Sequence, residues 1–193
     1  MKIQVLGFLV LSAVTAWQTD AAPVFNPENG NYYEAVRSGI PWTFARDAAA
    51  ARTHLGMSGH LVTITSQSEN AFVYNEVYLT TFTDRGDATR FDWVWLGGFQ
   101  LPGSVEPGEG WSWVTGEPFS YSNWDPGQPS DSGGNPWGAH QDLLIMWSGG
   151  TWNDITGPDG AAGYIIEYEA VPEPSTFALS IAGLFIFAQL RRR

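Results

Sequence analysis

Cysteine is absent from all 193 residues. That excludes disulfides, thiolate metal sites and thiol nucleophiles together. Lysine occurs once, as Lys2, and residues 23–170 carry five arginines against 18 Asp and Glu. A surface so acidic repels phosphate backbones, and no basic stripe offsets it, so nucleic acid is excluded as a partner. Signatures of catalysis are missing too. No G-x-S-x-G elbow occurs, and no glycine-rich phosphate loop follows a strand-like segment. His54, His60 and His140 form no i, i+4 metal pair and read as surface or packing residues. Carboxylate pairs suited to glycoside hydrolysis are too easily found among 18 acids to mean anything. The chain is expected not to be an enzyme.

Aromatic side chains are plentiful: 10 Trp, 11 Phe and 7 Tyr, within a hydrophobic content of 44%. This is enough for a packed core, and the length fits one domain with attachments. The attachments stand at both ends. In residues 1–22, Lys2 precedes an apolar stretch from Ile3 to Ala16, with small residues near 14–16 and 19–21. That is the pattern of a secretory signal. At the other end, residues 171–193, Phe177 to Leu190 is a 14-residue apolar run followed by three arginines. It is short of the ~20 residues of a spanning helix, and the arginines favour the cytoplasmic side. A plain tail anchor is one reading. The order Pro172-Glu173-Pro174, apolar run, basic cluster resembles the PEP-CTERM sorting signal of bacterial exported proteins. That resemblance implies transient membrane insertion through the tail and cleavage by an exosortase-type enzyme. It further implies a product at the cell envelope, cell surface or extracellular matrix, often associated with exopolysaccharide.

The body, residues 23–170, predicts an alanine-rich helix after Pro41 that ends at Gly56 as its C-cap. A strand follows in "HLVTIT". Ser66 and Glu69 form a capping box in which Glu69 reaches back to the Ser66 amide. It opens a second helix over about 67–78 with Phe72, Val73 and Val77 facing inward. Beyond Thr80, short β-like pieces such as "WVWLGG" and "WSWV" alternate with Gly- and Pro-rich loops, and "YIIEYE" closes the domain as a strand. Two helices followed by many short strands indicate an α+β domain.

Trp42-x-x-Ala45, Leu61-Val62-Thr63-Ile64-x-Ser66-x-x-Glu69-Asn70-x-Phe72, Trp95-Leu96-Gly97-Gly98, Asn123-Trp124 and Trp152-Asn153-Asp154 occur in this order. Together they resemble the C-type lectin-like domain, over about residues 30–169. The resemblance implies two helices with small antiparallel sheets and a long loop, here without disulfides. The family's usual cysteine positions fall on Ala49 with Ile166 and on Leu143 with Gly157. Small aliphatic packing can replace the first pair in the core. The stability lost with a disulfide, ~2–5 kcal/mol, is expected to be recovered by a cation that ties down the long loop or by extra aromatic packing.

Within the long loop lies "NWDPGQPSD", residues 123–131. Its prolines and glycine exclude a helix, and any polar turn uses the same residue types. The resemblance gives it a second meaning. Carried over by position, the principal calcium ligands fall on Gln128, Gln141, Asn153 and Asp154, with Ser130 where an amide or carboxylate is usual. Asp131 is near enough to substitute. Asp131 and Asp142 match an auxiliary calcium site, with Glu106 or Glu109 as completions. Few of these side chains are charged, and affinity follows ligand charge, so weak binding of calcium is expected, at ~10⁻⁴–10⁻³ M. In calcium-dependent lectins, sugar hydroxyls complete the ion's shell and bond to the same ligands. That implies a glycan or exopolysaccharide bound by Gln128, Ser130, Asn153 and Asp154, with Gln128 leaning towards galactose-like ligands. Trp137 either stacks on a sugar face or plugs the base of its own loop. The alternative function is a structural or protein-binding matrix component that has lost both calcium and sugar.

Overall fold

The computed structural model describes residues 21–82, 93–132, 140–147, 149–157 and 161–170. Residues 1–20 of the expected secretory signal, Trp137, and the expected sorting motif Pro172, Glu173 and Pro174 lie outside the described residues. The chain runs β1 (Val24–Phe25), β2 (Tyr32–Arg37), α1 (Trp42–Ala50), β3 (Thr53–His54), β4 (Met57–Leu61) and α2 (Gln67–Phe72). A π-helical turn (Val73–Tyr78) and α3 (Leu79–Phe82) continue α2. Then come β5 (Val94–Gln100), β6 (Trp111–Trp113), β7 (Leu143–Met146), β8 (Trp152–Ile155) and β9 (Gly163–Tyr168). The fold is α+β, as expected. Its sheet is mixed, in the order β1-β2-β9-β5-β7-β8 with β4 also on β9 and β6 on β5. All its pairings are antiparallel except β5 with β9.

Strand periodicity divides the core in two. Along β5, Val94 and Leu96 point to one side and Trp95 to the other. Along β9, Ile165 faces the first side, and Tyr164, Ile166 and Tyr168 the second. This is the two-residue alternation of a pleated strand covered on both faces. The α2 helix and its π turn cover the first face with Val73, Val77 and Tyr78. The short α1 covers the second with Trp42, Ala45 and Ala49. Phe72, expected inside, is half-buried and packs on the first cluster.

Two expectations need correction. The first helix stops at Ala50 rather than Gly56, because Leu55 and Gly56 both take positive φ (49° and 83°). They form the two-residue turn that joins β3 to β4, where such angles match the twist of the strands. The capping box is half formed. Ser66 Oγ accepts from the Glu69 amide at 3.2 Å, but the Glu69 carboxylate accepts from Thr65 N (2.8 Å) and Thr65 Oγ1. Glu69 is drawn past the cap because its other oxygen takes the Tyr33 hydroxyl at 2.6 Å in the core.

Gly97 shows why β5 needs glycine after Trp-Leu. A Cβ there would stand 2.6 Å from Leu61 O and 3.0 Å from Val62 O. The Gly97 amide itself donates to Val62 O at 2.9 Å. At the positions where the family carries cysteine, Ala49 and Ile166 are fully buried in one cluster. Leu143 lies over Gly157, its Cδ1 3.1 Å from where a Cβ would sit.

Candidate functional site

Strand β8 carries Trp152, Asn153 and Asp154, all buried. Neighbours on both sides fix it. On one side β7 pairs Leu144 with Asp154 and Ile145 with Asn153. On the other, Trp124 bridges to Trp152 in parallel, with Trp152 N donating to Asn123 O and Asp125 N to Trp152 O. The Asn70 and Asn123 amides both donate to Gly150 O, at 3.1 and 2.7 Å. Trp152 Nε1 in turn donates to Asn70 Oδ1. The rings of Trp113, Phe119, Tyr121 and Trp124 surround Trp152 at 5.6–6.2 Å. The long loop therefore stands on an aromatic base.

Above that base the chain turns through Asp125-Pro126-Gly127-Gln128, with Gln128 N donating to Asp125 O and Gly127 at φ +93°. Proline second and glycine with positive φ third is what a type II turn requires. The Gln128–Pro129 peptide is cis. The next two amides, of Ser130 and Asp131, both donate to Asp154 Oδ2, at 2.9 and 2.7 Å. One carboxylate on β8 thus holds the loop by its backbone.

Asp154 Oδ1, Asn153 Oδ1 and Gln128 Oε1 are shielded from solvent and have no hydrogen-bond partner among the described residues. Burying a polar oxygen without a partner costs free energy, and Gln128 stands two residues before the Ser130 amide that Asp154 holds. The Ser130 hydroxyl is engaged with Ser132 Oγ at 2.7 Å. Gln141, half-buried, donates its amide to Asp131 Oδ1 at 2.9 Å. Asp142 accepts from Gln100 N through its carbonyl. Burial raises the pKa of its carboxyl, which His140 lowers and Asp131 raises further.

His140, read from the sequence as a surface or packing residue, is brought to Asp131. Its Nδ1 is 2.9 Å from Asp131 Oδ2 and 3.8 Å from Glu106 Oε1. The hydrogen bond to His140, aided by the Gln141 amide, holds the Asp131 pKa below the ordinary carboxylate value. The same bond raises that of His140. Its place just before the matched positions 141 and 142 was the one clue in the sequence.

Residues 46–159 match the family model of the lectin C-type domain. Halomucin of Haloquadratum walsbyi is 38% identical over 93 residues, 48% of this chain and 1% of that protein. C-type lectin domain family 4 member G of Mus musculus is 26% identical over 145 residues, 75% of this chain and 42% of that protein. The chain thus spans less than half the length of either relative. Among solved structures, the cow C-type carbohydrate-recognition domain of CD23, in the presence of GlcNAc2Man3 oligosaccharide, matches with a TM-score of 0.55. That match is 24% identical and covers 74% of this chain and 90% of the other. With the fold, the ordered motifs and the family model in agreement, the chain belongs to the C-type lectin domain family.

Proposed function

We propose that this protein is an exported, non-enzymatic carbohydrate-binding protein whose long loop binds sugar with the help of calcium. The observation that carries the reading is the set of shielded, unpartnered oxygens on Gln128, Asn153 and Asp154. The donor set fits calcium, which takes six to eight oxygens and tolerates carbonyls beside carboxylates. Gln128, Asn153 and Asp154 would hold the ion, and Asp131, Gln141 and Asp142 add charge and oxygens nearby. When bound, calcium supplies positions for sugar hydroxyls. The ligand class is a glycan or exopolysaccharide at the cell surface or in the extracellular matrix. The secretory signal and the PEP-CTERM-like tail support export, membrane insertion through the tail and exosortase processing.

One observation favours the second reading, a structural or protein-binding matrix component. The Ser130 hydroxyl is tied to Ser132, so the position between Gln128 and Asp131 offers little to an ion. Thermal melts of the full-length protein, with calcium and with chelator, separate the two. A ligand that binds only the native state at tenfold excess over Kd stabilises by ~1.4 kcal/mol. The melt is expected to rise with millimolar calcium, to lose that rise in Asn153→Ala, and to accompany chelator-sensitive binding on a glycan array. No calcium response and no glycan bound would establish the second reading instead.

A further inference from the structure

We propose that a small polar cavity between the β1–β2 turn and the start of α2 is a second, calcium-independent subsite that takes a neutral sugar residue. The cavity has a volume of about 150 Å³ and is lined by Asn26, Glu28, Asn29, Ser66, Ser68 and Glu69. At ~30 Å³ per water that is room for about five waters, which suits an edge of one sugar residue rather than an extended chain. The loop site on β8 shares no residue with it. The sign that it takes a ligand is Asn26, which is only 1% exposed. The turn fixes this residue: Asn26 N donates to Asn31 O, Gly30 N donates to Asn26 O, and the Glu28 amide donates to Asn26 Oδ1 at 3.0 Å. With Oδ1 spent on the turn, Nδ2 is the group that Asn26 brings to the cavity, and it has no partner among the described residues. A buried amide nitrogen with both hydrogens unspent costs free energy until an acceptor meets it.

The groups left free around the cavity select the ligand. Asn29 and Glu69 are spent on each other and on the core. Asn29 Nδ2 donates to the Tyr33 hydroxyl at 2.7 Å and to Glu69 Oε1 at 3.3 Å, and the Glu69 oxygens also accept from Tyr33 and Thr65. The hydroxyls of Ser66 and Ser68 share a hydrogen bond at 3.2 Å. Glu28 is exposed, and its carboxylate has no hydrogen bond or ion pair among the described residues. The cavity therefore offers one amide donor, one carboxylate acceptor and two hydroxyls. Calcium wants six to eight oxygens and would meet amide hydrogens, so a bare cation does not fit. An anion is repelled by Glu28 and Glu69. An apolar group would leave the Asn26 amide unpaired. A neutral hydroxylated ligand satisfies both ends, because each hydroxyl donates and accepts. One takes a hydrogen from Asn26, and its neighbour gives one to Glu28. The choice of sugars over other polyols rests on the carbohydrate-binding reading above.

The test is a proton–nitrogen NMR titration of the full-length protein, in chelator, with galactose, glucose and galacturonate in turn. Galactose or glucose is expected to shift the side-chain amide pair of Asn26 and the backbone amide of Ser68, and galacturonate to shift neither. Glu28→Ala, at an exposed position, removes a charged acceptor and should weaken the binding at least about tenfold. Asn153→Ala should leave the shifts unchanged, which separates this cavity from the loop. No shift with either neutral sugar would overturn the proposal, and so would undiminished binding in Glu28→Ala or an equal response to galacturonate. Sugar bound only in the presence of calcium, and lost in Asn153→Ala, would sink the cavity and keep the loop reading. A response at Asn26 in chelator, with no calcium effect on the melt, would keep the cavity and sink calcium assistance at the loop.

Discussion

At the scale of single residues, Asp154 has two tasks that can be separated. Oδ2 holds the loop through two amides, and Oδ1 is unpartnered. Asp154→Asn keeps one oxygen for the amides but removes the charge, so it should lose the calcium response while unfolding near the wild-type urea concentration. Asp154→Ala removes both bonds to a charged acceptor, each worth ~1.5–3 kcal/mol. Its urea midpoint should fall by at least one such increment. Asn153 and Asp154 were legible in the sequence because they are contiguous and follow a tryptophan. His140 was not, because nothing local shows that its ring turns back on Asp131, nine positions earlier, or approaches Glu106, 34 positions earlier. Glu167 was equally hidden. It reads as one polar residue in a strand, yet it is buried at the centre of the fold.

Elements were legible where their signal was local. The second helix was found from its cap and inward valines, and β9 from its apolar run. The end of α1 was missed because alanine continues a helix as readily as it ends one. What stops it is the pairing of Thr53 and His54 with Ser58 and Met57, a contact that helical periodicity does not encode. Strand β5 shows a different limit. Trp-Leu-Gly-Gly was recognisable as a motif, but its reason is the backbone of Leu61 and Val62 lying against Gly97. Two of the three obstructing atoms are backbone oxygens, so moving the Val114 side chain alone does not make room for Gly97→Ala. It should destabilise by ~1–3 kcal/mol, the usual range for overpacking, as read from urea denaturation. The change should be larger than for Gly127→Ala in calcium-free protein, where no neighbour stands within 4 Å and the cost is that of its positive φ alone.

At the scale of the whole molecule, a buried acid sets the response to pH. The Tyr33 hydroxyl lies 2.6 Å from Glu69 Oε1 and 3.1 Å from Glu167 Oε1, and its single proton serves one of them. Burial, with the charge of Glu69 added, pushes the Glu167 carboxyl up to about 8, from 4.5. A folded pKa above the unfolded one gives stability that is complete below the unfolded value and is lost as pH rises through the folded one. Melting temperatures should therefore fall between about pH 5 and pH 8, and Glu167→Gln should flatten that slope even though it lowers the midpoint by disturbing the bonds from Asn31 and Thr63. Glu167 sits on β9, and β9 has a further consequence. It is the last strand of the domain, yet it lies between β2 and β5 and also pairs with β4, reaching partners 134 residues earlier. Because β9 carries the pairings that join β2, β4 and β5 into one sheet, that sheet cannot be completed until residue 168 has been made.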